Sequence, residues 1–231
     1  MDCDSKDERW IWLSFATKHR LILSAYLGDM TQRSANEVVK QTCDIINENN
    51  LPLFVTDGRK HYKQALLDRY SYIKEFSKTN KRGRPKKPKQ TPLKKLRYAQ
   101  IVKERNGKDL ISVSKRIIFG DSNNINDSDI STSHIERENL NLRQENKRLA
   151  RKTSSYSKKD EWLQHSISLQ KTTHNFTRPH FALKKENPKR IIGKVWKKYD
   201  KRTPMMSIGL TEHVWSLKEL LTYPYYKNIS I

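Results

Sequence analysis

The stretch LPLFVTDG, residues 51–58, decides how the chain is read: an apolar, partly β-branched run ends on an acid, and a glycine follows it. Such a run is a short strand that stops at Asp57-Gly58. In open α/β sheets, ligands and catalytic groups gather where strands end, so Asp57 is a candidate catalytic carboxylate. Asp-Gly is also a common turn pair, and on its own it only carries the chain into the next helix. Both readings stay open at this point.

Working back toward the N-terminus, Trp10 to Ala16 (WIWLSFA) and Leu21 to Leu27 (LILSAYL) are apolar runs on either side of a polar turn, which predicts a hairpin. Ser34-Ala-Asn-Glu37 has the form of a capping box. After it Val38, Val39, Thr42, Ile45 and Ile46 fall on one helical face, which predicts a helix reaching Asn49 and Asn50. Strand, strand, helix, strand ending in an acid is an α/β order.

Working forward, residues 78–95 (KTNKRGRPKKPKQTPLKK) contain no acidic or aromatic residue and three prolines, and they read as an extended basic loop. Within it Lys81, Arg82, Gly83, Arg84, Pro85, Lys86 and Lys87 surround a Gly-Arg-Pro core that resembles an AT-hook. Arginines of such a segment exploit the negative potential of a narrow minor groove. The plainer reading is a solvated basic linker touching phosphates without preference. Two more strands follow at Tyr98 to Lys103 and Leu110 to Phe119, then a polar loop from Gly120 to Ile130. A long polar helix is expected from His134 to Lys152, another from Trp162 to Leu169, and a short one at Leu217 to Leu221 capped by Ser216.

The 231 residues suit one domain with basic appendages, and 47 Lys plus Arg against 25 Asp plus Glu leave a net charge of +22. A polyanion is the natural partner of that surface. Two cysteines, Cys3 and Cys43, build neither a disulfide framework nor a paired zinc site, which points to a reducing compartment. His174 and His180 have no acid or cysteine near them in sequence at metal-ligand spacing. With no long apolar run and no secretory leader, the expected location is cytoplasmic and nucleoid-associated, with no membrane partner.

Glu136 is the second acid of interest. Ser133-His-Ile-Glu136 is also a capping box, in which the glutamate bonds back to the cap amide. Metal-dependent phosphoryl chemistry needs carboxylates from separate elements around Mg²⁺, and a strand-end Asp with a helix-borne Glu are the right donors. Glu138 lies about 200° around the helix from Glu136 and faces elsewhere.

In order, the blocks ERWIWLSF with LILSAYLGD, VTDGRKHY, YAQIVK, ISTSHIERENLNLR with RLARKTSSYSK, NFTRPH and TPMMSIGLTEHVWSLKELL resemble the DDE-type transposases of the insertion sequence one family. The resemblance implies a ribonuclease H-like mixed sheet flanked by helices, over residues 1–183, with the basic segment at about 78–95 as an insertion. Residues 184–231 then form a basic C-terminal tail with a short helix. It also implies that Asp57 and Glu136 are catalytic, two-metal Mg²⁺ ligands, that Lys81, Arg82, Arg84, Lys86 and Lys87 bind DNA, and that the chain acts as a homo-oligomer on double-stranded DNA. The family's first aspartate belongs to a strand ahead of Trp10, where this chain offers only Asp2 and Asp4. The expectation is therefore an N-terminally truncated copy or a start at an internal Met, with catalysis by the chain alone in doubt. A non-catalytic AT-hook-like DNA-binding protein is the competing reading, and a basic RNA-binding protein a third.

Overall fold

The computed structural model describes residues 9–76, 87–150, 153–187 and 199–223. Its elements are strands β1 (Trp10–Ala16) and β2 (Leu21–Gly28), helix α1 (Gln32–Cys43), β3 (Leu53–Asp57), α2 (Lys60–Arg69), β4 (Ser71–Lys74), β5 (Lys89–Pro92), β6 (Arg97–Asn106) and β7 (Asp109–Phe119). There follow α3 (Ser133–Glu145), α4 (Asp160–Phe176), β8 (Lys185–Glu186), β9 (Tyr199–Asp200), α5 (Pro204–Ser207) and α6 (Leu217–Thr222). The architecture is mixed α/β, as the sequence order predicts.

Two compact units divide the chain. One comprises residues 1–12 and 26–137, the other 13–25 and 138–231. The division runs through the β1–β2 hairpin and α3.

The first unit is built on the mixed sheet β3-β6-β7, in which β3 runs parallel to β6 and β7 antiparallel to it. Alternation along the strands gives each face its own core. Phe54 and Tyr98 face a cluster made with Val38 and Val39 of α1 and Ala65 and Leu66 of α2. Leu53, Val55, Ala99 and Ile101 face Ile125 and Ile130, on the chain between β7 and α3. That polar stretch therefore buries its two isoleucines, and short 3₁₀ turns at Ser122–Asn124 and Asp127–Asp129 shape the rest.

In the second unit the tip of the hairpin is held by α4. Asn175 accepts from the Ile22 amide at 3.1 Å and donates to the Ile22 carbonyl at 2.9 Å, and Gln164 donates to the Ala25 carbonyl at 3.1 Å. Asn146 after α3 donates to Ser166 of α4 at 2.9 Å, and Gln170 donates to the Leu142 carbonyl at 3.2 Å. The turn between β1 and β2 places Arg20 at φ 52°, the one described non-glycine residue in the left-handed region.

Several boundaries differ from the sequence expectation. Thr31, not Ser34, caps α1 by accepting from the Ser34 amide, and Ser34 is buried in the first turn. The helix ends at Cys43: Asp44 is its C-cap, Ile45 in the following turn is exposed, and Ile46 packs back against the core. α3 stops at Glu145, where Asn146 caps a 3₁₀ turn by accepting from the Arg148 amide. α4 runs from Asp160 to Phe176, well past Leu169. Finally, residues 89–92 of the basic stretch are not loop: β5 pairs antiparallel with β4. The short helix at the C-terminal end is as expected, with Ser216 and Glu219 forming a capping box.

Candidate active site

Asp57 is the last residue of β3 and pairs in register with Ile101 of β6. Residues opposite one another in a parallel pair share a face, and alternation then puts Lys103 on the face that carries Asp57. Lys103 donates to Glu136 Oε1 at 2.5 Å, and the Thr132 hydroxyl donates to the same oxygen at 2.6 Å. Glu136 stands in the first turn of α3, which begins at Ser133. Ser133 is therefore the first helical residue and not the cap that the capping-box reading requires. Asp57, Lys103 and Glu136 all belong to the first unit.

Each acid already holds a cation. Arg59 Nε lies 3.3 Å from Asp57 Oδ2, its backbone amide donates to Asp57 Oδ1 at 3.3 Å, and its guanidinium sits 5.3 Å from the Trp10 ring centroid. The side chain of Asp57 thus makes the turn bond of the plainer reading while keeping one carboxylate oxygen for a charged partner. At Gly58 a Cβ would lie 3.1 Å from Val102 Cγ2, a tight contact that the valine would have to yield to, and glycine avoids it. Behind the strand end, the Tyr98 hydroxyl is 2.8 Å from the Thr56 hydroxyl and accepts from Gln100 Nε2 at 2.7 Å. Gln100 also donates to the Arg59 carbonyl at 3.2 Å. This network fixes the end of β3 and the turn after it.

Burial, the largest single influence, pushes the Glu136 carboxyl up. The hydrogen bonds from Lys103 and Thr132 and the charges of Lys103 and Arg105 together outweigh it and hold Glu136 below the usual glutamate range. Burial raises the Tyr62 phenol, and the Asp57 charge adds to that. With side chains 58% and 51% exposed, Asp57 and Glu136 are both open to a ligand. Their oxygens suit a hard divalent cation. Among the described residues no group of three or more His, Cys, Asp or Glu side chains that could hold a metal ion comes together.

Arg59, Lys103 and Thr132 were not singled out from the sequence. Lys103 ends the YAQIVK strand at the alternate position to Ile101, and that spacing was the available signal. Lys81, Arg82, Arg84 and Lys86 of the AT-hook-like segment, and Asp2 and Asp4, lie outside the described residues. Lys87 is exposed just ahead of β5. His174 has no acid near it in sequence, but the fold gives it one: its Nδ1 lies 3.2 Å from Glu138 Oε1, with both side chains 5% exposed. The residues are far apart in sequence, and folding α4 against α3 joins them. His174 Nε2 stands 2.9 Å from the Arg20 carbonyl, which makes that nitrogen the donor. Glu138 is thus turned away from solvent within the second unit, as its place around the helix predicts.

No helix among the described residues is long and apolar enough to cross a membrane. Residues 115–177 match the family model described as IS1 transposase. No curated protein and no solved structure matches the chain. The matched stretch begins on β7, takes in all of α3 and ends just after α4, and it leaves Asp57 outside. The match supports the resemblance read from the motifs: residues 115–177, Glu136 among them, are similar to the IS1 transposase family.

Proposed function

We propose that the chain takes part in DNA transposition as a DDE-type transposase, with a ribonuclease H-like arrangement of the β3-β6-β7 sheet and with Asp57 and Glu136 as metal-binding catalytic carboxylates. One observation carries this reading: strand alternation sets Asp57 and Lys103 on one face, and Lys103 is bonded to Glu136 from the family-matched segment. The oxygen donors fit Mg²⁺, which when bound supplies charge stabilisation to the attacking and leaving oxygens of an in-line phosphodiester displacement. The chain's own part is positioning. Thr132 and Lys103 orient the Glu136 carboxylate, Arg59 orients that of Asp57, and the two cations stand where phosphate oxygens need donors. Double-stranded DNA, element ends and target alike, is the substrate, and the charge of +22 attracts it.

The test is strand cleavage and transfer on DNA carrying the element's terminal repeats, with Mg²⁺ and with chelator. Asp57→Asn and Glu136→Gln should each lower the rate by about 10³-fold, which corresponds to about 4 kcal/mol of transition-state stabilisation. Full activity in either variant removes that residue from the reaction.

A further inference from the structure

Phe181 is 79% exposed, the most exposed of the described large apolar side chains. It opens the 3₁₀ turn Phe181–Leu183, which His180 caps by accepting from the Ala182 amide at 3.3 Å, and the Lys184 amide donates back to the Phe181 carbonyl at 3.3 Å. Side chains three apart across such a turn eclipse one another, so the Lys184 ammonium lies over the Phe181 ring, 3.7 Å from its centroid. The β8–β9 ladder brings a second ring. Glu186 pairs with Tyr199, and Lys184 stands two residues before Glu186, which makes Lys184 and Tyr199 diagonal neighbours on one face. The ammonium is accordingly 4.1 Å from the Tyr199 ring centroid as well. One cation is thus held against two aromatic rings, and Tyr199 too is open to solvent, at 42%. The surrounding charge is one-sided: residues 178–202 hold ten Lys and Arg against two acids, Glu186 and Asp200.

We propose that Phe181, Lys184 and Tyr199 form a site for an unpaired base of single-stranded DNA, the base stacking on the Phe181 ring and its neighbouring phosphate meeting the Lys184 ammonium. The chemistry of the three side chains selects that ligand. A cationic ligand is excluded, because Lys184 already occupies the cation position of both rings. A carboxylate or a free phosphate would use the ammonium and leave Phe181 bare. Duplex DNA stacks its bases on one another, so it offers phosphates and groove edges but no open base face. A lipid surface is met by the long apolar face of an amphipathic helix, whereas Phe181 lies on a single short turn. Of these, only an unpaired strand joins a flat π-face to the negative charge that this basic segment attracts. The inference goes beyond the catalytic reading and does not depend on it, since stacking needs neither Asp57, Glu136 nor a metal, and the three residues belong to the second unit.

The test uses the full chain with chelator present, a deoxyoligonucleotide containing 2-aminopurine as the single strand, and the matching duplex as control. Phe181→Ala should weaken single-strand binding by at least about fivefold and leave duplex affinity within about twofold, and it should reduce the quenching of 2-aminopurine that stacking produces. Phe181→Trp, which restores a ring, should restore both affinity and quenching. Lys184→Met keeps the stem and removes the charge, so the salt slope on the single strand should shrink by about 0.7. Equal losses on single strand and duplex, or no loss on either, overturn the inference. So does a Phe181→Ala variant that loses affinity for phosphatidylserine vesicles while keeping it for the single strand. An RNA strand of the same sequence should bind within about threefold of the DNA strand, and a preference for RNA of more than about tenfold overturns the assignment to DNA. A measurement on the parent chain needs no variant to fold: a single strand carrying 5-iododeoxyuridine should crosslink to Phe181 or Tyr199 on irradiation. Adducts that map to neither residue overturn the proposed placement.

Discussion

The Glu136 carboxylate accepts from Lys103 and Thr132 and is held below the usual glutamate range, which stands at 4.5. Because the folded value is depressed, its contribution to stability is present above 4.5 and is lost as pH falls through the folded value. Lys103→Met removes both a donor and a charge and leaves only Thr132 and Arg105 to oppose burial, so the carboxyl should titrate higher. Carbon-detected NMR of the side-chain carboxyl checks this, and an unmoved titration would mean that the pair is not formed in solution. His180 carries a second pH dependence. Its Nδ1 accepts from the Ala182 amide at 3.3 Å, and burial pushes the imidazole below its ordinary value of 6.5, aided by the charges of Arg20, His174 and Arg178 and opposed by Glu138. The unfolded chain therefore takes up the proton first as pH drops below 6.5, and stability should decline from there toward the folded value. His180→Asn keeps a cap acceptor without a titrating ring, so its melting temperature should fall less between pH 7 and pH 5 than that of the parent chain.

Asn175 shows how much of an element's role lies outside its own sequence. Its carboxamide satisfies both backbone groups of Ile22, which are buried at the tip of the hairpin. Asn175→Ala leaves an amide and a carbonyl without partners, at about 1–3 kcal/mol for each. Urea unfolding should register that loss, and Asn175→Asp should not repair it, because a carboxylate cannot donate to the Ile22 carbonyl. The hairpin, β3, β6 and β7 were legible beforehand because alternating or continuous apolar runs between polar turns have one reading. β4 and β5 were not: SYIK and KQTP carry no alternation, and they pair because Leu93, which donates to the Tyr70 carbonyl at 2.9 Å, draws the strands together. The ends of α1 and α3 were misplaced for a related reason. Thr31 and Ser34 are both good caps, and Asn146 reads as a helix residue until its side chain is seen capping the next turn. At the site, Asp57 and Glu136 were legible as residue types on strand and helix. Lys103 and Arg59 were not, because a basic residue in so basic a chain carries no signal until register brings it to a carboxylate.

At the scale of the whole molecule, charge and chemistry make separable claims. On the proposed reading a net charge of +22 holds DNA through counterion release, so the logarithm of the binding constant should fall linearly with that of salt, with a slope of about −0.9 for each phosphate neutralised. Arg82→Ala with Arg84→Ala should shrink that slope, and it should weaken binding to AT-rich duplex more than to GC-rich duplex if those arginines read groove width. Equal losses on both duplexes mean plain phosphate contact. The two acids predict the opposite pattern. Asp57→Asn and Glu136→Gln each remove a negative charge near the place where phosphate is to sit, so neither should weaken DNA binding, and at low salt both should tighten it slightly. Cleavage and transfer in Mg²⁺ should nonetheless collapse, while melting temperatures stay close to the parent because both side chains are half exposed and their ion pairs are worth little. Retained binding with lost chemistry is the signature of a carboxylate that acts on the phosphodiester. If binding and chemistry fall together, or if the melting temperature falls with them, Asp57 and Glu136 hold the sheet end and the helix start in place, and the catalytic assignment is withdrawn.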